Sequence, residues 1–128
     1  MKIKKIILDA NVFIEAAKNK INLFDQVAES FPDADIVSSA FIMAELRRIA
    51  RKKSNDSIAA KIALQIFADG VRIKKTKTAG DDSLLELCDS NSVLITQDRE
   101  LRGRCAKAGF STGYVRERKY LIIGGKSC

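Results

Sequence analysis

An open parallel β-sheet with helices on both faces is the fold this chain predicts, and three observations carry it. Short β-branched runs alternate with longer helical patterns from one end to the other. The first strand closes on an unbroken apolar run, Ile6-Ile7-Leu8, as expected of a strand buried on both faces. The 128 residues contain one proline and no low-complexity linker, so a single domain over residues 1–128 accounts for the whole chain.

In order, KIKKIILD (2–9) reads as the first strand, and NVFIEAAKN and NLFDQVAESF as a helix pair closed by Pro32. DIVSS (35–39) is the second strand, leading into the helix AFIMAELRRIARK with Ser38 or Ser39 as its N-cap. A further helix runs from Asn55 to Ala68 and stops at Gly70. VRIKK (71–75) is the third strand, and Gly80 precedes a helix starting at Asp81 or Asp82. SVLIT (92–96) is the fourth, followed by the helix DRELRGRCAKA and Gly109. The tail, GYVRERKYLIIGG, reads as two short strands around a charged turn.

Composition narrows the chemistry. A hydrophobic fraction of 46% and a charged fraction of 30% describe a globular chain. Its apolar runs reach about five residues, against roughly 20 for a membrane span. Asp9 interrupts the lysine-then-apolar N-terminus before a signal-peptide core can form, so a cytoplasmic protein is expected. The chain has no histidine, which excludes Ser-His-Asp and Cys-His catalysis and the H-x-E zinc deaminase pattern. Cys88, Cys105 and Cys128 show no C-x-x-C spacing and are expected as reduced thiols, with Cys88 in the core. The remaining chemistry belongs to carboxylates, lysines, hydroxyls or a metal held by oxygen.

The net charge of +7 favours an anionic partner. Basic residues gather in groups: Arg47, Arg48, Arg51, Lys52 and Lys53; Arg72, Lys74, Lys75 and Lys77; Arg99, Arg102, Arg104 and Lys107; then Arg116, Arg118 and Lys119. Each group alone reads as solvated surface, but together on so small a domain they point to nucleic acid.

The acids fall in informative places. Asp9 ends the first strand and Asp98 lies two residues beyond the fourth, after Thr96. Ligands of open parallel sheets bind at the carboxyl ends of strands, although each aspartate could equally be a helix N-cap. On a helical wheel with Phe41 at 0°, Ile42, Leu46 and Ile49 fall near about 100°, 140° and 80°, and Glu45 near 40°, inside the apolar arc. A carboxylate there needs a partner. A rim position paired with Arg48 or Arg116 is one account, and a bound cation the preferred one. On the next helix Asp81 heads the apolar face while Asp82 turns towards Glu86 and Asp89, so Asp81 is the inward acid, with Asp82 its rival. Acids from four elements gathered at one sheet edge would repel without a counter-charge. Oxygen ligands without histidine favour Mg²⁺ or Mn²⁺ over zinc, and such an ion in a basic protein suggests phosphodiester cleavage.

These residues resemble the PIN-domain nuclease family, including its VapC-like toxins and archaeal ribosomal-RNA-processing members. The markers are ILDANVFI, SAFIMAELRRI, GDDSLLELC and VLITQDRELRGR, running in the family's order from residue 3 to about 104, with RERKYLIIGG similar to the family's closing hairpin. The resemblance implies a three-layer α/β/α sandwich around a mostly parallel sheet of about five strands. It also implies a Mg²⁺- or Mn²⁺-dependent endoribonuclease acting on single-stranded RNA. By position, Asp9, Glu45, Asp81 and Asp98 would be both the catalytic and the metal-binding carboxylates, with Asp82 the alternative to Asp81. Asn11 and Thr96 would support them by hydrogen bonding. One or two cations would activate a water for in-line attack on phosphorus. Arg47, Arg48, Arg51, Arg99 and Arg102 would hold the RNA backbone. The family further implies a homodimer, and an antitoxin or a ribosome-assembly factor as partner.

Two other readings compete. One is a non-catalytic RNA-binding or assembly module on the same fold. The other is a phosphatase of the haloacid dehalogenase type with Asp9 as nucleophile, but that pattern wants a second aspartate where this chain has Asn11. No nucleotide-binding glycine motif follows a strand, and Gly124-Gly125-Lys126-Ser127 reads as a terminal turn.

Overall fold

The computed structural model describes residues 2–116 and 120–124. The elements run β1 (Lys5–Leu8), α1 (Ala10–Lys18), α2 (Leu23–Ser30), β2 (Asp35–Ser39), α3 (Ala40–Arg51) and α4 (Ser57–Phe67), then a 3-10 turn at Ala68–Gly70. They continue with β3 (Arg72–Lys74), α5 (Gly80–Leu87), β4 (Ser92–Ile95), α6 (Arg99–Lys107), β5 (Ser111–Arg116) and β6 (Tyr120–Gly124). The strands form one sheet in the order β3-β2-β1-β4-β5-β6. The first five are parallel, and β6 closes the sheet antiparallel to β5. The expected tail hairpin is therefore present. Its charged turn, with Arg118 and Lys119, and the segment Gly125-Lys126-Ser127-Cys128 lie outside the described residues.

Alternation along the two central strands explains the three layers. Successive side chains of a strand point to opposite faces. Ile6 and Leu8 of β1 and Val93 and Ile95 of β4 join one core, with Val12, Phe13, Leu23, Met43, Leu46, Ala60 and Phe67 from α1 to α4. Ile7 and Leu94 point the other way, into a second core with Leu84 of α5 and Leu101 and Cys105 of α6. Both faces of β1 and β4 are thus dry, as the unbroken apolar run requires. In the larger core the Phe67 ring meets Phe13 at 6.0 Å and Phe24 edge-on at 5.5 Å. Gly70 matters here, because a Cβ on it would come within 2.4 Å of the Phe24 ring.

Two expectations are corrected. Cys88 is only partly buried, at the C-terminal end of α5, and Cys105 is the fully buried cysteine, its sulfur 3.8 Å from that of Cys88. Hydrogen bonding with Cys105 and burial push the Cys88 thiol up. On α3 the buried face is Ile42, Met43, Leu46 and Ala50, while Phe41 is 45% exposed. On the same wheel that face spans about 100° to 200°. The sequence reading centred the arc too close to Phe41 because hydrophobicity, not contact, defined it.

Truncating the residue that joins α1 to the larger core tests this packing. Phe13→Ala should cost about 3–5 kcal/mol. Urea unfolding should show a lowered midpoint with an unchanged slope.

Candidate active site

The strand order sets the site. From β1 the chain winds outwards to β2 and β3, then crosses back to β4 and β5 on the other side. The direction of winding reverses between β1 and β4, and a crevice opens beyond their carboxyl ends at such a point. Leu8 pairs with Ile95, so the residues that follow, Asp9 and Thr96, are neighbours across that gap.

Asp9 is 6% exposed and caps α1, its Oδ1 accepting from the Ala10 N–H at 2.7 Å. Its Oδ2 accepts from the Thr96 hydroxyl at 2.7 Å and from Asn11 Nδ2 at 3.4 Å. The fully buried Thr96 oxygen in turn accepts from the Asp98 N–H at 3.1 Å. One hydroxyl therefore ties the two aspartates together. Asp98 caps α6, its Oδ1 accepting from the N–H groups of Glu100 at 2.9 Å and Leu101 at 3.2 Å. Both aspartates thus do the capping work that was the alternative account of them. Each cap occupies one oxygen, and among the described residues Oδ2 of Asp98 accepts no hydrogen bond. Asn11 Oδ1 accepts from the Gln97 N–H at 3.1 Å.

Asp81 sits at the first turn of α5, delivered by Gly80 at φ +60, a left-handed conformation that glycine adopts without strain. A second hydroxyl relay anchors this turn. Ser83 donates to the Gly80 carbonyl at 2.6 Å, so its 2.7 Å contact with Ser39 must use the Ser39 proton. Ser39 in turn accepts from the Ile42 N–H at 3.0 Å as the cap of α3. The start of α5 is thereby fastened to the start of α3, which carries Glu45. The preceding loop is clasped by Glu86, whose carboxylate accepts from the N–H groups of Lys77 and Thr78 at 3.0 Å. Asp82 is ion-paired with Arg104, whereas the charge of Asp98 bears on Asp81.

Glu45 is at the rim. It lies about 60° outside the buried arc of α3 on the wheel, is half-exposed, and pairs with Arg48 at 3.6 Å. The rim alternative describes its position, and the buried-face argument for it does not hold. It still belongs to the electrostatic neighbourhood. Burial raises the carboxyl pKa of Asp9, and the charges of Asp81 and Glu45 add to that rise. Asp81 is also raised, by partial burial and then by Asp98. Asp9 and Asp81 therefore each bear a cost of burial and of neighbouring negative charge that positive charge would relieve.

The donor set suits a hard divalent cation, being oxygen only in a chain with no histidine. As placed, however, no three of these groups among the described residues stand close enough to share one ion.

The basic residues divide. Arg47 and Arg51 are exposed on α3 and Arg48 shares Glu45; Arg48 and Arg51 line a cleft with Glu45. Arg99 is exposed at the start of α6. Arg102 has a different role, donating to the Thr96 carbonyl at 2.7 Å with its guanidinium 4.6 Å from the Tyr114 ring centroid. Through one guanidinium nitrogen it braces the loop that carries Thr96 and Asp98. Gln97, Ser83 and Glu86 escaped the sequence reading. Gln97 mimics a strand residue, exchanging hydrogen bonds with the Val115 backbone at 2.7 and 3.0 Å. Polar residues in loops carry no periodicity to reveal such contacts.

A family described as PIN like domain matches residues 6–118, and the chain belongs to that family. It is 27% identical to Ribonuclease VapC9 of Archaeoglobus fulgidus over 124 residues, covering 95% of this chain and 90% of the relative. It is 26% identical to Ribonuclease VapC4 of Methanocaldococcus jannaschii over 127 residues, covering 94% and 97%. Among solved structures, the PIN domain endonuclease Utp24 superposes with a TM-score of 0.71 at 21% identity, over 93% of this chain and 90% of that one. This is the α/β/α fold expected.

The site has a signature in stability. Asp9 has a raised pKa when folded, so its ionisation opposes folding. The penalty is absent below the unfolded pKa, near 3.8, and is complete once pH has risen through the folded value. Asp9→Asn should therefore raise the urea midpoint at pH 7, with the gap to wild type closing towards pH 3.5. Thr96→Val leaves the Asp98 N–H without its acceptor and should cost about 1–3 kcal/mol, measured in the same way.

Proposed function

We propose that this protein is a Mg²⁺- or Mn²⁺-dependent endoribonuclease that hydrolyses phosphodiester bonds of single-stranded RNA. The observation that carries the reading is the convergence of Asp9 and Asp98 on the Thr96 hydroxyl at the crevice, with Asp81 and Glu45 near enough to perturb Asp9. The two relatives named ribonucleases support it.

Asp9, Glu45, Asp81 and Asp98 would hold the cation. When bound, a divalent ion supplies an activated water and positive charge opposite the charge that develops on phosphorus. The chain's own residues do the positioning. Thr96 and Asn11 hold Oδ2 of Asp9 in place, and the α6 cap fixes Asp98 so that its second oxygen is available. Without histidine, a carboxylate must take the proton released by the attacking water. Arg47, Arg51 and Arg99 hold the backbone phosphates, contacts that give affinity without base preference. A single domain over residues 1–128, working in the cytoplasm as a homodimer, completes this reading. An antitoxin is the partner if the enzyme is a toxin, and a ribosome-assembly factor if it processes ribosomal RNA.

The non-catalytic RNA-binding module is a second reading, favoured by the separation of the acids and by the capping work of Asp9 and Asp98. Titrating Mn²⁺ calorimetrically while assaying single-stranded RNA cleavage separates the two. Wild type should bind the ion and cleave. Asp9→Asn, Glu45→Gln and Asp98→Asn should each lose about 100-fold or more in rate, whereas Asp82→Asn should stay within a few-fold. Cleavage that persists at full rate in chelator would sink the metal mechanism, and RNA binding without cleavage would select the module.

A further inference from the structure

We infer that Phe41 is a stacking platform for one base of the bound RNA, one helical turn from Glu45; the inference rests on the ribonuclease reading and extends it to a specific contact. Phe41 is 45% exposed, and the other large apolar side chains exposed among the described residues are all isoleucines. It follows the Ser39 cap by two residues and belongs to neither core. Packing therefore gives no reason for an aromatic ring there.

The surroundings supply one. Phe41 lines an open cleft of about 420 Å³ with Glu45, Arg48, Arg51 and Gly80. Gly80 directly precedes Asp81, so the cleft leads into the carboxylate crevice. Glu45 and Arg48 pair with each other, while Arg51 has no ion pair among the described residues. Around Gly80 the position a Cβ would take is open space, which leaves that wall bare backbone. An exposed phenyl ring, an available guanidinium and open space beside Gly80 are what one nucleotide needs, with its base on the ring and its phosphate on the arginine. The charged border of the cleft, Glu45, Arg48 and Arg51, argues against an apolar protein partner there.

The chain contains no tryptophan, so Phe41→Trp installs a unique fluorescent reporter at the ring. Titration with a single-stranded oligoribonucleotide should quench its emission, and a duplex of the same sequence should not. Steady-state cleavage should show KM raised about 5- to 100-fold in Phe41→Ala, with kcat changed much less. Phe41→Leu should fail similarly, since it is apolar without a π-face, and Phe41→Tyr should restore wild-type KM. One abasic position in the oligoribonucleotide should weaken wild type by the same factor and leave Phe41→Ala unaffected. An unresponsive tryptophan and an unchanged KM in Phe41→Ala, with wild type cleaving normally, would overturn this inference and leave the ribonuclease standing. Wild type that neither binds nor cleaves single-stranded RNA would overturn both. A changed sedimentation coefficient in Phe41→Ala, without a changed KM, would assign the ring to a protein contact instead.

Discussion

Leu8 and Ile95 face one another in parallel register at the middle of the sheet, each without exposed surface. Helices cover both faces of that pair, so beyond the Lys5–Ser92 pair β1 and β4 stay apolar to the end of the ladder. When they do, they leave together, on the side where the winding direction reverses. Asp9 and Thr96 are the first residues beyond the dry zone. Their proximity follows from register, and register is enforced because a one-residue slip would turn Ile7 and Leu94 out of one core and into the other. The site is thus a consequence of how the apolar interior is shared between two layers.

Two hydroxyl relays convert that placement into a rigid frame. Asp98 N–H to Thr96 to Asp9 links the ends of β1 and β4, and Ile42 N–H to Ser39 to Ser83 to the Gly80 carbonyl links α3 to α5. Each relay is saturated: every hydroxyl donates once and accepts at least once, leaving no buried polar side-chain atom unpaired among the described residues. Such networks are worth most when complete, because a half-satisfied one leaves a desolvated group behind. Small hydroxyl side chains suit the task, since they order two backbones at little entropic cost.

The frame gathers carboxylates whose mutual repulsion opposes folding. Asp9 and Asp81 both have raised pKa values, burial first and neighbouring acids after it. Capping offsets part of the penalty at Asp9, because a helix N-terminus favours negative charge. A fold that retains such a cluster is less stable than it could be, a cost typical of sites kept for function.

By itself the sequence determined the layers and their order. Short unbroken apolar runs in IILD and SVLI, helical spacing between them and the single proline are local signals, and they yielded the parallel sheet, the closing hairpin and the polar residues at the strand ends. Asp9, Thr96 and Asp98 were legible for that reason, since a strand's end is a feature of the chain itself. What tertiary structure alone decided concerns facing and pairing. Hydrophobicity placed Phe41 inward and Glu45 in the apolar arc, but the surfaces α3 packs against select Met43 and Ala50 and turn Phe41 to solvent. Asp81 and Asp82 are adjacent and chemically identical, and the ion pair that Asp82 makes with Arg104, 22 residues away, is a tertiary contact that no local pattern records. Arg102 looked like one more surface cation until the Thr96 carbonyl and the Tyr114 ring were brought beneath it. Periodicity records which way a residue tends to face; what meets it there depends on segments distant in sequence, and their placement is set by the core as a whole.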